Sequence, residues 1–347
     1  MLTRIEVRNL ACFSDAPSVL NLAPETIIIG PNNVGKSAVI AGFNALHLSY
    51  HNGSWVSAVS GIYQWNRFED MVHRHETGRE VHLRATFVGQ TWSGTVSAIV
   101  TQSAQAQFTP QRAGNVLQEL GKVWYLGPSR TALQREIQVA NYSRVFPWQP
   151  INPDGSNVIP YLLERFTERD TRWDEAENWL KHVAPELSVL KVPLRMMQTS
   201  VETTDARLGI DINMALQGTG VQKALSVIAA VVFSPEGSTI IIEEPEIHLH
   251  PRSQEALADL FNKAVNEWNK QIVFVTHSWE MLLPFVSDVG PGQGRGQQHP
   301  RAVANKFKLV VFNPVTRDGR ENIDISDLDI SHMDFMTLRD YLKKLWG

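Results

Sequence analysis

The run Thr26-Ile27-Ile28-Ile29-Gly30-Pro31-Asn32-Asn33-Val34-Gly35-Lys36-Ser37 decides how this chain is read. Its first four residues form an uninterrupted apolar strand of the kind buried on both faces. The strand stops at a glycine. From Ser37 to Leu48, Val39, Ile40, Phe43 and Leu46 recur at spacings of three and four, which predicts a helix packed by one face. Between strand and helix lies Gly30-x-x-x-x-Gly35-Lys36-Ser37, a P-loop pattern in the strand–loop–helix context the pattern requires. Glycines at both ends let the backbone curl, so that N–H groups of Gly30, Asn32, Asn33 and Gly35 turn inward beside the positive end of the helix. A polyphosphate is the ligand such a loop suits. Lys36 would neutralise β- and γ-phosphates, and the Ser37 hydroxyl would ligate a magnesium ion between them.

Upstream, Ile5, Val7, Val19, Leu20 and Leu22 lie in short extended runs separated by Ser14-Asp15-Ala16-Pro17, which predicts a two-stranded hairpin. Downstream, Val81 to Val88 and Trp92 to Val100 alternate as strands of an antiparallel flanking sheet, and the Gln- and Ala-rich Thr101 to Ala113 reads as an exposed loop. Trp124-Tyr125-Leu126 is a further buried strand. Prolines and a glycine make Arg144 to Asn157 a connector, and the helical periodicity of Val158–Phe166 and Arg172–Val183 predicts a helical lobe over 131–200. Strands at Thr239–Ile242 and Gln271–Val275 flank a helix at Pro251–Trp268, the alternation of a parallel α/β sheet. Four glycines between Gly290 and Gly296 predict a flexible loop over 287–301, and Phe335–Trp346 reads as an amphipathic helix with Asp334 as its N-cap. The fold class expected is α/β, a P-loop NTPase: a mixed or parallel core sheet, an antiparallel flanking sheet and the helical lobe within one domain, 1–347.

Two more strands end in polar groups. Thr239-Ile240-Ile241-Ile242 leads into Glu243-Glu244-Pro245-Glu246, the way P-loop enzymes deliver acids to metal and water. Glu243 takes the metal side and Glu244 polarises the attacking water. A carboxylate at the tip of a buried strand is costly unless it meets a cation. Val273-Phe274-Val275-Thr276-His277-Ser278 repeats the design with a histidine that can donate a hydrogen bond to a γ-phosphate.

Composition constrains the rest. With 43% hydrophobic and 20% charged residues, the 347-residue chain has the make-up of a globular protein with a sizeable core. A net charge of -4 gives no global field for nucleic acid, though a local basic patch is compatible with it. The single cysteine, Cys12, and an amino terminus that interleaves Arg4, Glu6 and Arg8 with apolar residues point to a reducing cytoplasm without export. Ala224–Phe233 is only half of the roughly 20 residues a membrane span needs, so it reads as a buried helix.

P-loop, carboxylate strand and histidine, in this order, resemble the ABC ATPases. Glu243-Glu244-Pro245-Glu246-Ile247-His248-Leu249-His250-Pro251 resembles their SMC/RecF/OLD branch, in which the segment after the acids lies along a dimer seam. On that resemblance Glu246, His248 and His250 would sit there; without it, the two histidines could be read as zinc ligands, lacking a cysteine or third histidine to complete the set. Arg8-Asn9-Leu10, Phe68-Glu69-Asp70-Met71-Val72-His73 and Tyr125-Leu126-Gly127-Pro128-Ser129-Arg130 are similar to segments of compact AAA-type ATPases of prokaryotic defence systems. Arg130 is read either as an active-site or interface arginine or as a surface charge. Leu216-Gln217-Gly218-Thr219-Gly220-Val221-Gln222 occupies the place of the ABC signature, with Thr219 in lieu of the usual serine hydroxyl. Its Gly218, Thr219 and Gly220 would offer free N–H groups to an anion. For the Q-loop, Gln90 and Gln102 are candidates.

The resemblance implies ATP and Mg2+ as cofactors and a head-to-tail homodimer, or higher even assembly, that pairs each P-loop with the partner's signature. It also implies an ATPase that drives or regulates a separate effector, a nuclease or toxin, in anti-phage defence. The 70 residues after His277 are too few for a Toprim nuclease, and Asp327-Leu328-Asp329 reads as surface charge. A RecF/SMC-like ATPase that grips DNA in repair, and an ATP-dependent scaffold with little turnover, are the alternative readings. No membrane partner is expected.

Overall fold

The computed structural model describes residues 1–52, 68–102, 106–108, 113–139, 150–286, 307–317, 320–330, 333 and 335–346. The expected flexible loop at 287–301 and the Asp334 N-cap lie outside the described residues, as do parts of the connector after Arg144. In chain order the principal elements are β1 (Leu2–Arg8), β2 (Ser18–Asn21), β3 (Glu25–Ile29), α1 (Lys36–Asn52), β4 (Val81–Val88), β5 (Ser93–Val100), β6 (Ala106–Phe108), α2 (Ala113–Leu120) and β7 (Val123–Leu126). Then follow α3 (Val158–Thr167), α4 (Trp173–Val183), β8 (Leu187–Lys191), β9 (Glu202–Asp205), β10 (Asp211–Asn213), α5 (Thr219–Phe233), β11 (Thr239–Glu243), α6 (Pro251–Glu267), β12 (Gln271–Val275), β13 (Phe307–Arg317), β14 (Arg320–Asp327) and α7 (Phe335–Trp346). The chain divides into two compact units, Met1–Gly121 with His299–Gly347, and Lys122–Gln298.

In the first unit β1 and β2 pair antiparallel, as the hairpin reading requires, and extend to a sheet of order β2-β1-β4-β5-β6. The alternation read in β4 holds residue by residue: Val81, Leu83, Ala85 and Phe87 point inward. Residues Ala106–Phe108, expected in a loop, form an edge strand on β5. Their composition carries no strand signal, and the open hydrogen-bonding edge of β5 supplies the order instead. All of β3 is buried, and it runs parallel to β13, which turns back as the antiparallel β14. Asp327, at the end of β14, is exposed and pairs with Lys308 at 2.9 Å.

The second unit holds three parallel strands, β11 lying between β7 and β12. Every residue of the three is buried. Helix α5 is apolar nearly all round and correspondingly buried. Its carboxyl end is held by two basic side chains: Lys270 Nζ donates to the carbonyls of Val231 (2.5 Å) and Val232 (3.1 Å), and Arg172 donates to those of Phe233 (2.9 Å) and Ser234 (3.1 Å). Positive charge there satisfies orphan carbonyls and opposes the helix dipole. Among the described residues of the segment expected as a helical lobe, α3 and α4 are helical, and the stretch after them is built of short strands, including the antiparallel set β10-β9-β8. Among the described residues no helix is long and apolar enough to cross a membrane.

One buried acid sets a pH dependence. Glu25 opens β3 at 2% exposure, and its Oε1 has no hydrogen-bond partner among the described residues. Burial pushes its carboxyl up to about 8. The folded state therefore favours the protonated form: its contribution is full below the ordinary carboxylate range and is lost as pH rises toward 8. At about 1.4 kcal/mol per pH unit, a few kcal/mol are at stake. Glu25→Gln is expected to raise the urea midpoint over the parent at pH 8.5 and to change it little at pH 5. An equal gain at both pH values would contradict this account of Glu25.

Candidate nucleotide site

In the first unit, the loop after β3 enters α1 at Lys36. Asn33 (φ 63°) and Gly35 (φ 83°) both lie in the left-handed region, which gives the loop its curl. At Gly35 a side chain is excluded twice over, by that φ and by the Cys12 Sγ and Phe13 ring packed where a Cβ would stand. Lys36 is 5% exposed, and its Nζ donates to the carbonyls of Gly30 (2.8 Å) and Pro31 (2.5 Å). The ammonium is thus held inside the loop by neutral acceptors, weaker partners for it than phosphate oxygens. Asn32, Asn33 and Ser37 are exposed, and the 17-residue α1 has no acid in its first turn to compete with an anion. These groups fit a bound triphosphate.

In the second unit, β11 ends at Glu243, which is 1% exposed; Tyr125, from the neighbouring β7, donates its hydroxyl to Glu243 Oε1 at 2.6 Å. Glu244 follows at φ 46° and is half-buried. Its N–H donates to the Val275 carbonyl at 2.9 Å, tying the acid turn to the end of β12. Glu246, expected at a dimer seam, turns its Oε1 to the Thr276 hydroxyl and the His277 N–H, both at 2.8 Å. Desolvation raises its carboxyl above the usual range despite these donors. The structure thus brings Glu243, Glu244, Glu246 and His277 together at the carboxyl ends of adjacent parallel strands. A buried carboxylate such as Glu243 and a hydroxyl such as Ser37 are donor types that magnesium accepts.

His248 and His250 are exposed, and His250 Nδ1 accepts the Arg252 N–H at 3.4 Å as the cap of α6. Among the described residues no group of three or more His, Cys, Asp or Glu could hold a metal, so the zinc reading finds no support there.

The signature segment forms the amino end of α5. Gly218 is the cap, exposed like Thr219, with open space around the position of a Cβ. Gly220 is buried, and a Cβ there would strike the His248 carbonyl. The third residue of the expected anion turn is therefore where helix and acid loop approach backbone to backbone. Gln222 fixes the same corner, accepting from Leu133 N–H at 2.8 Å and donating to the Gln217 carbonyl at 2.8 Å. The Q-loop candidates Gln90 and Gln102 are exposed, in the β4–β5 turn and just after β5.

Sequence reasoning left two residues of this site unassigned. Tyr125 reads in the sequence as plain core, and Arg130, left open between site and surface, is 2% exposed with its guanidinium on the backbone of the acid turn. A polar-tipped aromatic in a buried strand signals Tyr125, since a buried hydroxyl needs a partner.

The strands, loop and acid turn define a P-loop ATPase head. Residues 131–282 match the family model described as "AAA domain, putative AbiEii toxin, Type IV TA system". The chain is 22% identical over 335 aligned residues to the OLD nuclease of Thermus scotoductus, covering 83% of this chain and 60% of that protein. A 70-residue stretch is 36% identical to the energy-coupling factor transporter ATP-binding protein EcfA2 of Spiroplasma kunkelii; the chain spans about a quarter of that relative, 23%. Its fold is that of the Smc head domain of Pyrococcus furiosus, solved with an extended coiled coil and bound to the C-terminal domain of ScpA (TM-score 0.56, 10% identity, 99% of this chain and 98% of that one). Within the P-loop class, then, this chain is similar to AAA-family ATPases of the ABC, SMC and OLD-like type.

Proposed function

We propose that the chain binds and hydrolyses ATP with magnesium, closes as a head-to-tail dimer around two nucleotides, and uses that cycle in the cytoplasm to control a separate effector, a nuclease or toxin, in anti-phage defence. One observation carries the nucleotide part. A fully buried strand delivers Gly30–Ser37 to the start of a long helix with no acid in its first turn, and Lys36 stands inside the loop. Lys36 and the loop N–H groups bind the phosphates, and Ser37 and Glu243 are the residues to hold the metal. Magnesium, when bound, supplies charge neutralisation to the phosphates. Glu244 takes the proton of the attacking water, and His277 donates to the γ-phosphate oxygens. Gly218 and Thr219 face a partner copy's nucleotide across the dimer, while Gly220 keeps their helix against the acid loop.

The effector and the defence role draw on the resemblance to an OLD nuclease and on the AAA match whose description mentions a toxin system. Calorimetry with Mg-ATP, followed by a phosphate-release assay, tests the enzymatic claim. Binding with turnover agrees with it; binding without turnover favours a scaffold; no heat at all removes the reading. ATP-stimulated, salt-dependent DNA binding would favour the SMC-like alternative.

A further inference from the structure

The acid turn carries a conformational cost. Glu244, at φ 46°, occupies a left-handed conformation that is strained for a residue with a side chain, so its surroundings must impose it. Val275 fixes its N–H. The carbonyl side is fixed by Arg130: one terminal nitrogen donates to Gly127 O (2.6 Å) and Glu243 O (2.8 Å), and the other to Glu244 O (2.8 Å). The planar fork thereby staples the end of β7 to both acids of the turn, a geometry that a single ammonium cannot reproduce. At 2% exposure, with three donors committed to main-chain carbonyls, the guanidinium serves its own backbone. The carboxylates of Glu246, Glu244 and Glu243 oppose the desolvation of its charge, and it stays protonated at neutral pH, lowered to about 10 by burial.

We propose that Arg130 is a positioning residue for ATP hydrolysis, holding the Glu243–Glu244 turn in the left-handed conformation that aims the Glu244 carboxylate. The proposal rests on the ATPase reading. Its hydrogen bonds among the described residues go to the carbonyls of Gly127, Glu243 and Glu244, so its loss is predicted to act on kcat and spare ATP binding. A displacement of about 1 Å in a reacting group costs on the order of 10²-fold in rate.

The full chain and its Arg130→Met, Arg130→Lys and Arg130→Ala variants are compared by calorimetry with Mg-ATP, phosphate release and thermal melting. Arg130→Met is expected to lower kcat by about 10- to 100-fold with ATP affinity within about threefold. Arg130→Lys should recover part of the loss, and added methylguanidinium should raise the kcat of Arg130→Ala without changing that of the parent. Parental kcat in Arg130→Met would overturn the proposal, as would a fall in kcat matched by an equal fall in ATP affinity. Should Arg130→Met and Arg130→Ala not fold, Arg130→Lys decides alone: reduced kcat at parental affinity and melting temperature supports the clamp, and parental kcat overturns it. A parent chain that fails to hydrolyse ATP would instead bring down the ATPase reading, and shows itself before any variant is assayed.

Discussion

Glu244→Gln is expected to bind Mg-ATP within a few-fold of the parent, to release phosphate at least about a hundredfold more slowly, and to accumulate as a dimer when ATP is present. The rate follows from chemistry: a positioned general base contributes roughly 10²- to 10⁴-fold, and an amide cannot take the water's proton. The preserved binding follows from structure. The backbone of Glu244 is pinned through its N–H to Val275 and through its carbonyl to Arg130, so an isosteric side chain should leave the turn in place. Dimer accumulation is a matter of populations. Moving a closed state from about 1:99 to 99:1 takes roughly 5.5 kcal/mol, and charge-assisted hydrogen bonds of about 1.5–3 kcal/mol each supply that from a few contacts per site. Light scattering with and without ATP reads the mass, and phosphate release reads the rate. A monomer at all ATP concentrations would remove the dimer from the proposal while leaving the base assignment standing; parental turnover would remove Glu244 as the base.

What the sequence made legible was whatever depends on local pattern. Thr26–Ile29, Thr239–Ile242 and Gln271–Val275 are short apolar runs bounded by glycine or by charge, and such runs have few ways to fold other than as buried strands. The P-loop string specifies its own turn, because Gly35 occupies a φ that a residue with a side chain adopts only at a cost. The place of β13 beside β3 is not legible locally, since it is fixed by a partner about 280 residues earlier in the chain. Ala106–Phe108 likewise owes its extended form to β5.

The site divides along the same line. Glu243, Glu244 and His277 announce themselves at strand ends. The work of Arg130, Tyr125 and Gly220 is visible only through what they touch: carbonyls, a carboxylate and the backbone at His248. The position of Glu246 in the string implies a dimer seam, and contacts add a second role: its carboxylate joins the acid turn to Thr276 and His277, just after β12.

Lys36→Ala is the variant with the largest expected effect on binding. Its ammonium carries three donors, and two of them rest on carbonyls of the loop it would serve, at Gly30 and Pro31. In the ATP complex those donors would exchange neutral acceptors for charged phosphate oxygens, a net gain of about 1–1.5 kcal/mol per bond. Two such exchanges amount to roughly 30- to 150-fold in affinity at about 1.4 kcal/mol per tenfold. Thermal melting gives a direct readout: a ligand at 100 times its Kd stabilises the folded state by about 2.7 kcal/mol, a shift the parent should show and Lys36→Ala should lose. The variant without ATP should melt close to the parent, because the bonds to Gly30 and Pro31 that it gives up are each worth only about 0.5–1.5 kcal/mol net. An ATP-dependent shift of parental size in Lys36→Ala would mean that the nucleotide is held somewhere other than the loop after β3.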